Sequence, residues 1–420
     1  MIEPKRDTGH LDIGVRDELL HRLRERRPET PLTRDFYCSS EDYQIDLDAI
    51  WYRDWLFVGH DCEVLKPGDY FTVQIGEYPV MVVRDRDLTL RAFHNTCRHR
   101  GSRICSAPKG SASRLVCPYH QWTYRLDGRL FSARDMGEGF DRAHYSLAPV
   151  HCTSVAGYIF VSLAKTAPDF EPIRTRIAPY LEPHRLHQTK VAFESTIVER
   201  ANWKLVWENN RECYHCGANH PELLRTFPED PTLTGVEGAA GNPMISAHWA
   251  RCEAAGLPSR FHMSANGQMR IARMPLLHEA VSFTMSGEAA VRRPLSDSIG
   301  EPNIGTLLLF HYPSTWNHVL GDHALSFRVL PIGPMETQLT TKWLVHKDAV
   351  EGIDYDLQEL TRVWTATNDA DRRVCQENQL GVVSPAYDPA PYSPVHENGV
   401  TQFVNWYCTH LEGRLAEGPR

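Results

Sequence analysis

FHNTCRHRGSR (residues 93–103) and LVCPYHQWTY (115–124) decide how this chain is read. Each stretch carries one cysteine and one histidine at short spacing, Cys97-x-His99 and Cys117-x-x-His120, with seventeen residues between the two halves. Two soft thiolates and two imidazoles suit either tetrahedral zinc or an iron–sulfur cluster. Zinc sites more often group like ligands, as CxxC followed by HxxxH. One Cys and one His in each half fit a [2Fe–2S] cluster with both thiolates on one iron and both imidazoles on the other. Imidazole ligation of this kind raises the reduction potential to roughly −150 to +300 mV. The flanking residues place both halves in turns between strands, where backbone N–H groups can reach the sulfurs.

Outward from these loops, residues 55–163 alternate short β-rich runs (FTVQIG, YPVMVVR, LTLRAF, GYIFVSL) with Gly-, Pro- and Asp-containing turns, which predicts a small all-β domain. Upstream, 14–27 reads as a charged amphipathic helix, and a second helix is expected from Ser40 to about Tyr52, with Ser40 as its N-cap. Residues 168–183 read as a connector. Beyond it the pattern predicts a strand at VAFESTIVER (191–200) and a helix at NWKLVWENNRECYH (202–215). Strands at VSFTM, GTLLLFHY, ALSFRVLPIG and TQLTTKWLVH (within 280–346) follow, then a helix from about Tyr355 to Gln379 and the Pro-rich SPAYDPAPYSP (384–394). Helices against an antiparallel sheet make this second region, and the protein as a whole, α+β.

Composition excludes other classes. A 420-residue chain with 42% hydrophobic and 23% charged residues is neither disordered, collagenous nor coiled-coil. Its net charge of −8, with no long basic block, does not suit nucleic acid. No apolar run approaches the ~18 residues of a membrane span. The first thirty residues lack a signal-peptide apolar region, so a cytoplasmic, reducing setting is expected. Eleven cysteines, an odd number, then have no disulfide role. Cys38, Cys62, Cys105, Cys152, Cys252 and Cys408 read as small buried hydrophobes, and Cys213 and Cys216 flank His215 without joining it.

A second constellation lies in NNRECYHCGANH (209–220), where His215 and His220 are five apart and Gly217 could break a helix. Two histidines and one carboxylate with open positions is the donor set of non-haem Fe(II) oxygen chemistry. The helix TATNDADRRVCQENQ (365–379) offers Asp369 and Asp371. Two apart on a helix, they cannot face the same way, so one of them is solvated.

CRHRG…CPYHQW together with Glu212-x-Tyr214-His215-x4-His220 resembles the Rieske non-haem iron oxygenase α-subunits, over about residues 40–408. The resemblance implies a Rieske [2Fe–2S] domain (55–165) on Cys97, His99, Cys117 and His120. It also implies a helix-grip catalytic domain (166–420) holding mononuclear iron on His215, His220 and a late-helix carboxylate, with the 1–54 helices packed on that domain. The family spacing before Cys375 and Gln379 puts that carboxylate at Asp371, with Asp369 the runner-up. An acidic residue three before the first histidine carries the electron to the iron from the cluster of a neighbouring subunit in a trimeric ring. Many members have Asp there; this chain has Glu212, one methylene longer, as in the branch acting on quaternary ammonium compounds.

DWLFVGHDCEV (54–64), FHYPSTWNHVLGDHALSFRVLP (310–331) and the Pro-rich segment are similar to betaine demethylases of that branch. The expected reaction is O2-dependent N-demethylation of a betaine, most simply glycine betaine to dimethylglycine and formaldehyde. Proline betaine, carnitine and choline are alternatives, and an aromatic ring is a more distant one. No GxGxxG follows a strand and no ferredoxin cysteine run is present, so NAD(P)H and FAD belong to a separate flavin/[2Fe–2S] reductase. A quaternary ammonium has no N–H and is held by aromatic faces. Tyr214, Phe310, Tyr312 and Trp316 are the candidates. The substrate carboxylate wants a His, Asn or Arg donor that the sequence does not single out.

Overall fold

The computed structural model describes residues 13–229, 241–301 and 303–417, and these divide into two compact units, 51–169 and the remainder. In the first unit a seven-stranded antiparallel sheet runs in the order Leu56–His60, Tyr158–Ser162, Pro149–Val155, Leu90–His94, Tyr78–Arg84, Asp69–Ile75, Lys109–Ser111. A three-stranded sheet, Leu115–Val116, Thr123–Tyr124 and Leu130–Ser132, adjoins the second cluster loop. Met81, Phe93, Leu115, Trp122 and Tyr124 bury their side chains between the two, together with Cys97 and Cys117.

The second unit is built on another seven-stranded antiparallel sheet, ordered Thr189–Glu199, Glu336–His346, His323–Gly333, Thr315–Val319, Thr306–His311, Met269–Met274, His262–Met263. The helix Leu357–Val382 buries a stripe at Leu360, Val363, Trp364, Thr367, Ala370 and Cys375, the three- and four-residue spacing of one helix face. Its Asn368 donates to Thr341 of the sheet at 2.9 Å. The helices Trp203–Asn210 and Asn398–Glu417 complete the helical layer, with Trp203 and Phe403 in edge contact.

Helix Ser40–Asp46 is tied to this unit by a buried charge cluster. Asp46 accepts from Lys204 Nζ at 2.5 Å, Trp203 Nε1 at 3.0 Å and Tyr407 Oη at 2.8 Å. Removing one member would leave an unanswered charge in the interior, which costs more than the pair itself contributes.

Several sequence expectations change. Ser39, not Ser40, caps the Ser40–Asp46 helix, accepting from the N–H groups of Glu41 and Asp42 at 3.1 Å each. The 168–183 connector contains the helix Glu171–Leu181. VSFTM (281–285) is a bent segment, not a strand, although Phe283 is buried. The expected 202–215 helix stops at Asn210, because the Glu212 carboxylate takes the N–H groups of Tyr214 and His215 and folds a new turn.

Candidate metal centres and substrate cavity

The two cluster loops repeat one backbone design. Gly101 N–H donates to the Cys97 carbonyl and Gln121 N–H to the Cys117 carbonyl, both at 3.0 Å. Each loop closes one residue later, with Cys97 N–H donating to Ser102 and Cys117 N–H to Trp122, both at 2.8 Å. Gly101 (φ 81) and Gln121 (φ 59) both occupy the left-handed region, easy for glycine and strained for glutamine. Cys97 and Cys117 are buried, whereas His120 is exposed and faces His99 with ring centroids 4.7 Å apart. Trp122 stacks on His99 at 4.8 Å. The four candidate ligands thus present two buried sulfurs and two surface imidazoles, as a histidine-ligated [2Fe–2S] cluster requires. Tyr124 Oη accepts from Arg98 N–H at 3.0 Å and lies 3.3 Å from Cys97 Sγ. Burial raises its pKa, so the phenol stays protonated and can donate to the sulfur.

In the second unit, His215, His220 and Asp371 converge on one point. His215 Nε2 to His220 Nε2 is 3.0 Å, His215 Nε2 to Asp371 Oδ1 3.2 Å, and His220 Nε2 to Asp371 Oδ1 2.9 Å. Atoms this close together could all bind one metal ion. Asp371 follows Thr367 on the helix face turned to the cavity. Asp369 points away, is 54% exposed and pairs with Arg372 at 3.0 Å.

Glu212 Oε1 meets His215 Nδ1 at 2.5 Å, fixing the ring so that Nε2 faces the cluster of donors. Burial lowers the His215 pKa, but Asp371 and Glu212 outweigh it and lift it to about 9. Burial raises Asp371, yet His215 and His220 bring it below its ordinary value.

Cys213 and Cys216 form a disulfide, against the expectation that the cysteines have no disulfide role. The turn folded by Glu212 brings their Cα atoms to 4.9 Å, within the span a disulfide bridges. Cys216 Sγ lies within 4.8 Å of the two histidine donors, but its sulfur is committed to Cys213, which leaves Asp371 as the third donor. Of the cysteines read as buried hydrophobes, Cys105, Cys252 and Cys408 are buried, and Cys38, Cys62 and Cys152 are half-buried.

A cavity opens beside the triad. Phe310 lines it; Tyr312 and Trp316 do not. The indole of Trp207 covers both of the latter, at 4.7 and 5.1 Å between centroids. Tyr214 is 63% exposed and stacks on His396 at 4.6 Å. The aromatics that sequence reasoning missed are Phe227 and Trp364. Trp364 was legible in principle, since it falls on the buried stripe that carries Asp371. Burial holds His318, which faces Trp364, down to about 3, so this wall is uncharged. Also missed were Arg211 and Arg270, both buried and both on the cavity wall. No described helix is long and apolar enough to cross a membrane.

Comparison with known proteins gives the same architecture. Residues 54–152 match the Rieske [2Fe–2S] domain, and 184–413 match the ring hydroxylating alpha subunit (catalytic domain). The glycine betaine monooxygenase oxygenase subunit of Pseudomonas aeruginosa is 46% identical over 417 residues, 98% of this chain and 97% of that one. The protein of the same description from Chromohalobacter salexigens is 46% identical over 421 residues, 98% of this chain and 94% of that one. Among solved structures, the quaternary ammonium Rieske monooxygenase CntA superposes with a TM-score of 0.72 at 21% identity, covering 93% of this chain and 98% of that chain. With both domain models matched and a full-length relative at 46% identity, this chain belongs to the ring-hydroxylating α-subunit family of Rieske non-haem iron oxygenases.

Proposed function

We propose that this chain is the oxygenase component of a betaine N-demethylase whose substrate is glycine betaine. One observation carries the assignment, the 46% identity over 98% of the chain to glycine betaine monooxygenase oxygenase subunits. The overall change consumes O2, two electrons and two protons. One oxygen atom enters an N-methyl C–H bond and the other leaves as water. The resulting N-hydroxymethyl ammonium loses formaldehyde by C–N cleavage, the hydroxyl proton passing to the nitrogen or to solvent, to give dimethylglycine. When bound, the [2Fe–2S] cluster supplies electrons singly and the mononuclear iron supplies O2 activation.

The chain's own residues have distinct tasks in this reading. Cys97, His99, Cys117 and His120 hold the cluster, and His215, His220 and Asp371 hold the iron. Glu212 orients His215 through its Nδ1–H and links it to the surface from which the electron arrives. Phe227 and Trp364 give the cavity an apolar wall that limits water around the reacting methyl group. The electron crosses between subunits of a trimeric ring; inter-subunit electron transfer is described for CntA. As an oxygenase subunit, the chain works with a separate reductase that takes electrons from NAD(P)H, and we place the pair in the cytoplasm.

The test is formaldehyde release by the reconstituted oxygenase and reductase with glycine betaine, proline betaine, carnitine and choline supplied in turn. Glycine betaine should give one formaldehyde per NADH and the highest kcat/KM. Full-rate turnover of another of these compounds with none of glycine betaine overturns the assignment.

A further inference from the structure

Among the described residues, two guanidinium groups in the cavity pair with no carboxylate. Arg211 is 6% exposed and Arg270 is 8% exposed. Neither makes an ion pair among the described residues, and Arg211 Nε and Nη2 have no hydrogen-bond partner. Both lie over the ring of Phe310, with guanidinium carbons 4.5 and 5.3 Å from its centroid. A cation–π contact offsets only part of the cost of burying a guanidinium beside another of like charge.

The fold enforces this placement. Arg270 pairs in register with Phe310 across adjacent strands, so both side chains share one face of the sheet. Arg211 ends the helix Trp203–Asn210 immediately before Glu212. The helix Asn398–Glu417 begins on the same wall, where Asn398 and Gly399 line the cavity, and adds the positive end of its dipole.

A count of the remaining charges sharpens the point. Glu212 and Asp371 are engaged by the two histidines, and a divalent ion on the triad matches those two negative charges. His318 is neutral. Arg211 and Arg270 are left over, and the charge missing from the cavity is an anion.

We propose that Arg211 and Arg270 form the carboxylate-binding end of the substrate site, which therefore accepts a quaternary ammonium joined to a carboxylate and rejects a quaternary cation without one. This rests on the betaine reading of the cavity and deepens it. The ammonium end lies away from the arginines, against Phe227 and Trp364 and toward the acidic side chains at the triad. Phe310, already covered by both guanidinium groups, is their platform and not the wall that holds the ammonium.

The test uses the cluster- and iron-loaded oxygenase with its reductase. In the unaltered enzyme, choline and tetramethylammonium should bind roughly 100-fold or more weaker than glycine betaine, because an unanswered buried charge pair discriminates at that level. Arg270→Gln should raise the KM for glycine betaine by a similar factor with kcat changed only a few-fold, and Arg270→Lys should fall between. Arg211→Gln should act in the same direction. The competitor series needs no variant and keeps the test decisive if a substitution prevents folding. An unchanged KM in folded Arg270→Gln overturns the clamp, as does choline competing as well as glycine betaine. If the unaltered enzyme releases no formaldehyde from glycine betaine, the reaction assignment fails. The clamp is then judged by tryptophan fluorescence on titration with glycine betaine against tetramethylammonium. Equal affinities for the two in the unaltered protein overturn it.

Discussion

The two metal-binding regions are built in opposite ways. The candidate cluster ligands Cys97, His99, Cys117 and His120 come from two short loops of one domain, each closed by its own backbone hydrogen bonds. His215 and Asp371 meet at 3.2 Å across 156 positions of sequence, and the site exists only when a turn, a helix and a sheet are assembled. A loop-borne site is specified by local spacing; an assembled site is specified by packing. Damage to the first should therefore stay local, whereas the second should respond to changes well outside its ligands.

The largest expected effects test that independence directly. Cys117→Ser should erase the cluster's visible absorbance while iron stays on the catalytic unit, and His220→Ala should do the reverse. Each should cut turnover more than about a thousandfold, over 4 kcal/mol in barrier. Loss of both metals in either variant breaks the comparison. Within the assembled site, Asp371→Ala should lose iron, whereas Asp369→Ala, which removes only an exposed pair, should keep it with stability within about 0.5 kcal/mol.

Next comes a buried acid behind the second site. Glu208 accepts from Tyr37 at 2.6 Å and from Tyr392 at 2.8 Å. Burial raises its pKa to about 7, with the two phenols opposing the rise. An acid raised on folding binds more protons folded than unfolded, so stability is full below its unfolded value and falls as pH rises through the folded one. Between about pH 4.5 and 7 the loss should amount to about 3 kcal/mol. Glu208→Gln should flatten that slope in denaturant titrations at pH 5 and pH 8. A slope equal to that of the unaltered protein would locate the pH dependence elsewhere.

Glu212→Gln should be milder than loss of a ligand. The amide can still contact His215 but lacks the charge, and changes at a group that orients a metal ligand cost roughly 10- to 100-fold. Stopped-flow reoxidation of the reduced cluster should slow by that factor while both metals remain bound. The smallest effect belongs to the loops. Tyr124→Phe removes one hydrogen bond to Cys97, worth about 0.5–1.5 kcal/mol, or roughly 20–60 mV for a one-electron couple. The potential should fall by that amount with no change in iron content. A Tyr124→Phe potential within a few millivolts of the starting value would mean that the phenol does not reach the cluster.

Legibility in the sequence follows the same division. The loops can be read because ligand spacing and strand texture are local properties. Asp371 becomes distinguishable from Asp369 once the stripe from Leu360 to Cys375 is laid on one helix face. The end of the helix at Asn210 was not legible, because a side chain two residues on, Glu212, takes over the backbone N–H groups that follow. Tyr312 and Trp316 have the right chemistry for a cation wall, yet a helix from another part of the chain lays Trp207 over them. The arginine pair was hidden for the opposite reason. Arg270 in MRIARM looks like an ordinary strand charge, and only strand pairing with Phe310 shows that it points inward.

Gly399 ties these points together at the start of the last helix. A Cβ placed there would lie 2.2 Å from the Arg211 carbonyl oxygen, so any side chain must displace the backbone of residue 211. Arg211 and Glu212 are neighbours in sequence, and one displacement would move both. On the roles proposed for Arg211 and Glu212, the helix entry is a stop against which substrate placement and electron delivery are set together. On that reading, remodelling the start of the C-terminal helix to alter substrate preference should also change the rate of electron transfer.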